Sequence, residues 1–207
     1  MRRRRPDKRR VRYGLSEWWR PLAFGLAAVS PSVTPAFAQG GASAEKLQLC
    51  GACHGEDGNS KLEKIPSLAG QPAFFTLNQL FLMREGVRKV EAMASIVKDL
   101  KDDDLNTLSQ HFEKLPAKRS DEPVDPALAK HGAEIAATRR CGSCHLPSLA
   151  GQEQMPRLAR QRVDYLIVTL KSYRDSPRPG ADTAMSAAIA GASDADIVAL
   201  AHYAASL

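Results

Sequence analysis

The stretch Cys50-Gly-Ala-Cys53-His54 recurs as Cys141-Gly-Ser-Cys144-His145, and these two copies contain all four cysteines of the 207-residue chain. The spacing C-x-x-C-H is the attachment signature of c-type haem. Each thiol bonds to one vinyl group of the haem, and the adjacent histidine binds the iron. Two copies therefore predict two covalently bound haem c groups, with their iron, and a role in electron transfer.

Other sites also use two cysteines separated by two residues. A zinc ribbon places its two pairs about 15–20 residues apart, whereas 87 residues lie between Cys53 and Cys141. A redox-active dithiol, or a structural disulfide in an exported protein, is the other alternative. Neither explains a histidine directly after the second cysteine in both copies, so haem attachment is the preferred interpretation.

The first 38 residues have the pattern of an export signal that is removed from the mature protein. A basic segment comes first, an apolar stretch follows at residues 21–29, and Ala36-Phe-Ala38 forms an A-x-A cleavage site. A membrane anchor would need about 20 apolar residues, and prolines interrupt this region before Ala38. We therefore expect cleavage near Ala38 and a periplasmic protein. Arg9-Arg10 also fits a twin-arginine signal, but the general secretory route is favoured because Arg12 stands where an apolar residue is usual.

The net charge of the chain depends on this export segment. Residues 1–38 contain nine Lys or Arg against two Asp or Glu, a balance of +7, whereas the whole chain carries +6. Residues 39–207 therefore carry about −1, and the basic isoelectric point of the full sequence does not indicate a nucleic-acid partner. No stable membrane span is expected after cleavage, and any membrane association would be made through partner proteins.

The repeat extends well beyond the haem motifs, which indicates an internal duplication. The segment Pro66-Ser-Leu-Ala-Gly-Gln71 matches Pro156-Arg-Leu-Ala-Arg-Gln161. The other pairs in register are Gly41 with Gly132, Arg84 with Arg174, Arg88 with Arg178, and Met93 with Met185. A polar, proline-containing segment separates the two copies. We therefore expect an export signal at 1–38, a first haem domain at 39–117, a linker at 118–124 and a second haem domain at 125–207.

Each copy has the hydrophobic pattern of short helices, and no segment alternates as a strand would. The expected helices lie at residues 42–50, 72–85 and 102–115 in the first copy, and at 125–141, 162–175 and 193–207 in the second. Asp125-Pro126 and Ser193 are typical helix starts. A helix in each copy thus leads into the haem motif.

Met93 and Met185 are the predicted sixth ligands of the two irons. Met93 follows His54 by 39 residues and Met185 follows His145 by 40. The soft thioether raises the reduction potential of a histidine-ligated haem. Methionine usually fills gaps in a core, but the equal placement in both copies favours ligation.

The remaining methionines and histidines are expected to be packing or surface residues because they do not recur in register. These are Met83, Met155, His111, His131 and His202. A histidine ligand in place of methionine would instead give a haem of lower potential.

Pro66 and Pro156 follow the motif histidines by twelve and eleven residues. A proline-bearing loop at this distance can present a backbone carbonyl to the histidine Nδ1–H, which fixes the tautomer and tunes the basicity of the ligand. The alternative is a proline that only forms a turn.

Taken together, these motifs resemble class I cytochrome c, and two tandem units behind an export signal resemble the diheme cytochrome c4 family. The resemblance implies an all-α protein with two tandem class I cytochrome c domains, related by internal duplication and a pseudo-twofold axis. It places haem attachment at Cys50, Cys53, Cys141 and Cys144, and axial ligation at His54, Met93, His145 and Met185. Leu146 departs from the family, since glycine is usual after the haem-binding histidine.

The resemblance also implies a redox shuttle rather than an enzyme. Its partners would be a quinol-oxidising complex (a quinol–cytochrome c reductase) or a dehydrogenase as donor, and a terminal oxidase or reductase as acceptor. One alternative is a diheme subunit of a dehydrogenase complex, of the flavocytochrome sulfide dehydrogenase or alcohol dehydrogenase type. Another is an enzyme, such as a peroxidase or thiosulfate dehydrogenase, with one methionine displaced from its iron.

Overall fold

The computed structural model of the protein describes residues 44–176 and 183–207. Within these residues it contains nine helices and no strand, apart from an isolated bridge between Gln152 and Met155. The helices are α1 Ala44–His54, α2 Ala73–Arg84, α3 Glu91–Val97, α4 Asp102–Lys114, α5 Pro126–Thr138, α6 Gly142–His145, α7 Val163–Asp175, α8 Thr183–Ile189 and α9 Asp194–Ser206. The all-α prediction is confirmed. The predicted cleavage site at Ala38, Gly41 and Arg178 lie outside the described residues.

Two predicted helix starts are present. The Asp125 carboxylate accepts hydrogen bonds from the backbone N–H groups of Ala127 and Leu128 at 2.7 and 3.1 Å, with Pro126 in the first turn of α5. Ser193 and Asp196 form a capping box, in which each side chain accepts from the other residue's backbone N–H. These bonds satisfy donors that have no partner inside a helix.

The helix limits around the haem motifs differ from the prediction. Helix α1 continues through the whole first motif to His54, and it ends at Gly55, whose φ of 85° suits glycine. In the second copy α5 stops at Thr138 and a turn with Arg140 at φ 58° precedes the one-turn α6. A left-handed residue cannot continue a right-handed helix, so this motif lies on a separate helix.

Helices α3 and α8 were missing from the prediction. Each has seven residues, which is too short to give a clear helical period in the sequence. They nevertheless carry Met93 and Met185, the two predicted iron ligands.

Helices α5 and α9 cross closely at Gly132. A Cβ atom at this position would overlap the carbonyl oxygen of Ala199, so only glycine allows the two backbones to approach this far. Gly132, which recurs in register with Gly41, is thus required by the close packing of these two helices.

Each copy buries apolar side chains of its own helices. In the second copy the buried side chains include Leu166, Leu170, Ile189, Ile197 and Leu200. In the first copy Val97, Leu105, Leu108 and Phe112 are buried. Among the described residues no single helix is long and apolar enough to cross a membrane, and the only pair that passes on length and composition, α8 with α9, is bent by 113°.

Candidate haem sites

One cavity of about 760 Å³ is bounded by residues from both copies of the repeat. Every residue predicted as a haem or iron ligand lines it, together with the two predicted prolines: Cys50, Cys53, His54, Pro66, Met93, Cys141, Cys144, His145, Pro156 and Met185. Ligand cavities of this volume with few polar groups are typical of cofactor sites. The fold thus brings ten residues, spread over 136 positions of the sequence, to a single concave surface.

The two motif histidines have the same environment. His54 ends α1 and is 7% exposed, and His145 ends α6 and is 6% exposed. Each Nδ1 lies 2.8 Å from the carbonyl oxygen of the predicted proline, Pro66 or Pro156. A carbonyl oxygen can only accept a hydrogen bond, so Nδ1 carries the proton and donates it. The bonds expected from the sequence are present, and each leaves Nε2 as the nitrogen available for iron.

Burial lowers the pKa of both histidines, although the hydrogen bond to the proline carbonyl opposes this shift. The neutral imidazole is therefore the favoured form inside the protein. A neutral imidazole with one nitrogen held by a carbonyl is the form in which histidine binds a metal.

No disulfide joins the two cysteines of either motif in this structure. Cys53 and Cys144 are exposed, whereas Cys50 and Cys141 are partly buried. Burial raises the pKa of the Cys50 and Cys141 thiols, which keeps them protonated at neutral pH. In α1 the three-residue spacing places Cys50 and Cys53 on the same side of the helix, where both can reach one porphyrin edge.

Each proline loop is tied to the turn that follows its histidine. The Gly58 carbonyl accepts from the N–H groups of Leu68 and Ala69 at 2.7 and 2.9 Å. In the second copy the Leu149 carbonyl accepts from the N–H groups of Leu158 and Ala159 at 2.8 and 3.0 Å. The second copy also contains the sequence PSLAGQ at residues 147–152, but His145 bonds to the carbonyl of Pro156 and not to that of Pro147.

Two arginines hold the segments that carry the methionines. Arg84 donates to the Leu100 carbonyl at 3.1 Å and to Asp102 at 2.7 Å. Arg84 precedes Met93 and both acceptors follow it, so these bonds hold together the two ends of the segment that contains Met93. Arg174 makes the equivalent contacts around Met185, to the Ala192 carbonyl at 2.8 Å and to Asp194 at 2.7 Å. The recurrence of these arginines was visible in the sequence, but their role was not predicted.

The rejected ligand candidates differ in position. Met83 and Met155 also line the cavity, so a cavity position alone does not single out Met93 and Met185. His111 stacks edge-on against Phe112. The two others lie at the surface of the second copy: His202 accepts from the Asp125 N–H at 3.1 Å, and His131 is 3.7 Å from Glu134.

A crossed pair of glutamines joins the two proline loops, and we call it the glutamine clasp, Gln71 and Gln161. Gln161 accepts from the Ser67 N–H at 2.8 Å and donates to the Ser67 carbonyl at 2.9 Å. Gln71 binds Arg157 in the same way, at 3.0 and 2.9 Å. Ser67 and Arg157 directly follow the prolines that hold the histidines. The sequence showed both glutamines in register, but not that each bonds across to the opposite copy.

These features fit covalently bound haem. Each copy supplies two thiols, a neutral histidine with its Nε2 available, and a half-buried methionine around one cavity. The cavity is lined mainly by aliphatic and aromatic side chains, as an apolar porphyrin requires.

Comparison with known proteins agrees with this assignment. The family model described as Cytochrome c matches residues 129–207. Cytochrome c4 of Pseudomonas aeruginosa is 33% identical over 193 residues, which covers 88% of this chain and 93% of that protein. A thiosulfate dehydrogenase electron acceptor of Stutzerimonas stutzeri is 31% identical over 193 residues, with 88% and 89% covered.

The fold agrees as well. The crystal structure of reduced recombinant cytochrome c4 from Pseudomonas stutzeri superposes with a TM-score of 0.74 and 32% identity, over 81% of this chain and 99% of that one. These matches support covalently attached haem c, a diheme arrangement of two class I cytochrome c domains and an exported protein.

Proposed function

Because the chain belongs to the cytochrome c4 family, we propose that this diheme electron-transfer cytochrome is a periplasmic shuttle. It takes electrons from a quinol-oxidising complex or a dehydrogenase and passes them to a terminal oxidase or reductase. The observation that carries the proposal is the shared cavity, into which both copies of the repeat bring the same set of ligand residues. Two redox sites in one chain suit electron transfer between a donor protein and an acceptor protein.

We assign haem attachment to Cys50 and Cys53 in one domain and to Cys141 and Cys144 in the other. The axial ligand pairs are His54 with Met93, and His145 with Met185. Haem bound in this way supplies a one-electron couple. Pro66 and Pro156 orient the histidines, while each methionine would bind the iron through its soft thioether and raise the reduction potential. A histidine and a methionine bound to each iron would leave no position for a substrate, which fits a carrier better than an enzyme.

The proposed organisation keeps the limits expected from the sequence. An export signal at 1–38 is cleaved near Ala38, and haem domains at 39–117 and 125–207 are joined by a linker at 118–124. Within the proposed linker, Glu122 accepts from the Val163 and Asp164 N–H groups at 2.8 and 3.0 Å and so fastens the linker to the start of α7.

The axial methionines can be tested against the two other methionines that line the cavity. Met93→Ala and Met185→Ala should each remove about half of the weak far-red band that marks a methionine–Fe(III) bond, and should open one haem to carbon monoxide. Met83→Ala and Met155→Ala are matched controls and should keep the full band. An unchanged band in Met93→Ala or Met185→Ala would transfer the ligand role to another residue.

A second candidate function is a diheme subunit that serves one dehydrogenase. It is favoured by the similarity to a thiosulfate dehydrogenase electron acceptor. Stopped-flow reduction of the purified protein by a quinol-oxidising complex and by a thiosulfate dehydrogenase separates the two functions. Fast reduction by the dehydrogenase alone, with co-elution of the two proteins, would replace the shuttle by a dedicated subunit.

A further inference from the structure

Arg157 is a buried cation on the wall of the cavity. It directly follows Pro156, and it is 5% exposed. Its guanidinium donates to two neutral groups, the carbonyl oxygens of Ala159 and of Ser67 in the opposite copy. Its Nε is buried and has no hydrogen-bond partner among the described residues.

No carboxylate of the described chain pairs with this charge. The contrast is Arg162, also buried, whose guanidinium lies within 3.5 Å of Asp121, Glu122 and Asp164. The charged side chain that influences the Arg157 guanidinium is instead Arg160, which is also positive and therefore repels it. Burial, helped by Arg160, lowers the pKa of Arg157 to about 10, so it is still protonated at neutral pH.

A buried charge without a counter-charge is costly, and proteins pair such charges or let a ligand pair them. The cavity that Arg157 lines is the one assigned to haem, and each haem carries two propionate carboxylates. Arginine is also well suited to carboxylates, because its planar fork of N–H groups can bind both oxygens. The cofactor thus supplies the missing group.

We propose that Arg157 binds a haem propionate in this cavity and is its counter-charge. The proposal rests on the haem assignment above and adds a residue that the C-x-x-C-H signature does not include. The equivalent residue in the first copy is Ser67, which has no charge, so only one of the two haem sites receives a buried cation at this position. The two haem sites are therefore electrostatically unequal at this position.

The sign of the effect follows from this charge. A fixed positive charge beside a haem favours the reduced iron, which carries one positive charge less. It also keeps the propionate ionised into the acidic range. Loss of the charge leaves a buried propionate that favours the oxidised iron and whose pKa moves upward toward neutral pH.

The test is the reduction potential of both haems, measured over pH, in the haem-loaded protein with Arg157→Leu. One haem should be harder to reduce at neutral pH. Its equilibrium constant for reduction should fall about tenfold, which lowers the reduction potential of a one-electron couple by about 59 mV. This difference should disappear in acid, where the propionate becomes protonated. Arg157→Lys should restore most of the wild-type profile. Lys130→Leu, which removes an exposed cation of α5 that does not line the cavity, is the control and should change neither the potential nor its pH dependence.

Potentials and pH profiles of Arg157→Leu equal to those of Lys130→Leu would overturn the proposal. Should Arg157→Leu fail to fold, resonance Raman bands of the propionates in the wild-type protein decide. One of the four propionates should stay ionised through the mildly acidic range, and an ordinary titration of all four there would also refute the ion pair. A pyridine haemochrome assay that finds no haem would instead refute the proposed function, so the two failures are distinguishable.

Discussion

The two copies of the repeat adopt the same backbone at three turns although their residues differ. The first copy has glycine at all three turns, and the second has leucine, leucine and arginine. The pairs are Gly55 and Leu146 with φ of 85° and 67°, Gly58 and Leu149 with 73° and 53°, and Gly70 and Arg160 with 67° and 61°. Positive φ costs little for glycine and about 1–3 kcal/mol for other residues. The turn geometry is therefore imposed by the fold and not by the local residue.

The hydrogen bonds explain why the second copy keeps this geometry. Leu149 N–H donates to the Leu146 carbonyl at 2.9 Å, as Gly58 N–H donates to the Gly55 carbonyl at 2.8 Å. The carbonyl of Leu149 then accepts the two bonds that place the loop of Pro156 beside His145. A relaxed φ at Leu149 would lose these bonds, so the backbone strain is retained where it positions a haem ligand.

The largest effect is expected when one of the two haem sites is removed, which tests whether the two copies bind haem independently. Cys141→Ser with Cys144→Ser should give a protein lighter by one haem, with the absorbance of the first haem retained. The reason is that all proposed ligands of the first haem lie in residues 50–93. Ser143→Ala, between the two cysteines, is the control and should keep both haems. Intact-mass analysis and the absorbance ratio measure the result, and loss of both haems would show that the domains cannot mature separately.

The second test is Gly55→Ala, which places a residue with a Cβ atom at a positive φ in the first copy, as Leu146 does in the second. A Cβ on Gly55 would overlap the backbone carbonyl of Asn59, and the φ of 85° is unfavourable for alanine. We expect a loss of about 3 kcal/mol in the free energy of unfolding. Gly86→Ala is the matched control, because Gly86 has φ 69° but no atom within 4 Å of its added Cβ. It should lose about 1 kcal/mol, and equal losses in denaturant titrations would exclude the clash.

The third test concerns the glutamine clasp, whose two sides are unequal. Gln161 binds both backbone groups of Ser67 and also accepts from the Arg162 N–H at 3.0 Å, whereas Gln71 binds only Arg157. Gln161→Leu should cost about 2 kcal/mol because it leaves buried backbone groups without partners. Gln71→Leu should lower the free energy of unfolding by about 1 kcal/mol less than Gln161→Leu does, since it loses one hydrogen bond fewer.

Gln110→Leu, at an exposed position of α4, is the control for the clasp and should change the stability little. The two losses should not add in the double variant, because both glutamines hold the same pair of loops. Simple additivity in urea titrations would mean that the two loops respond independently.

The sequence predicted the chemistry of the sites better than their geometry. The candidate ligands that line the cavity and the proline carbonyls were predicted from motifs that recur in register, and the six longer helices were predicted from the hydrophobic pattern. The helices of Met93 and Met185 were not, since seven residues give no reliable period. The sequence also did not predict the contacts of Gln71 and Gln161, or that Arg157 lacks a carboxylate partner among the described residues. Both depend on which residues of the opposite copy come within hydrogen-bond distance. No local pattern records such long-range pairs.

The smallest test measures the strain at Leu146 directly. Its φ of 67° and ψ of 156° lie in a region that is essentially restricted to glycine. Leu146→Gly and Leu146→Ala both remove the partly buried leucine side chain, so their difference isolates the effect of the Cβ atom. Normally alanine is the more stable of the two, because glycine loses more backbone freedom on folding. Here we expect the order to reverse, with Leu146→Gly more stable than Leu146→Ala by about 1 kcal/mol. If denaturant titrations find alanine equal or better, the second copy has relaxed away from the turn geometry of Gly55, and the two turns are alike only in sequence position.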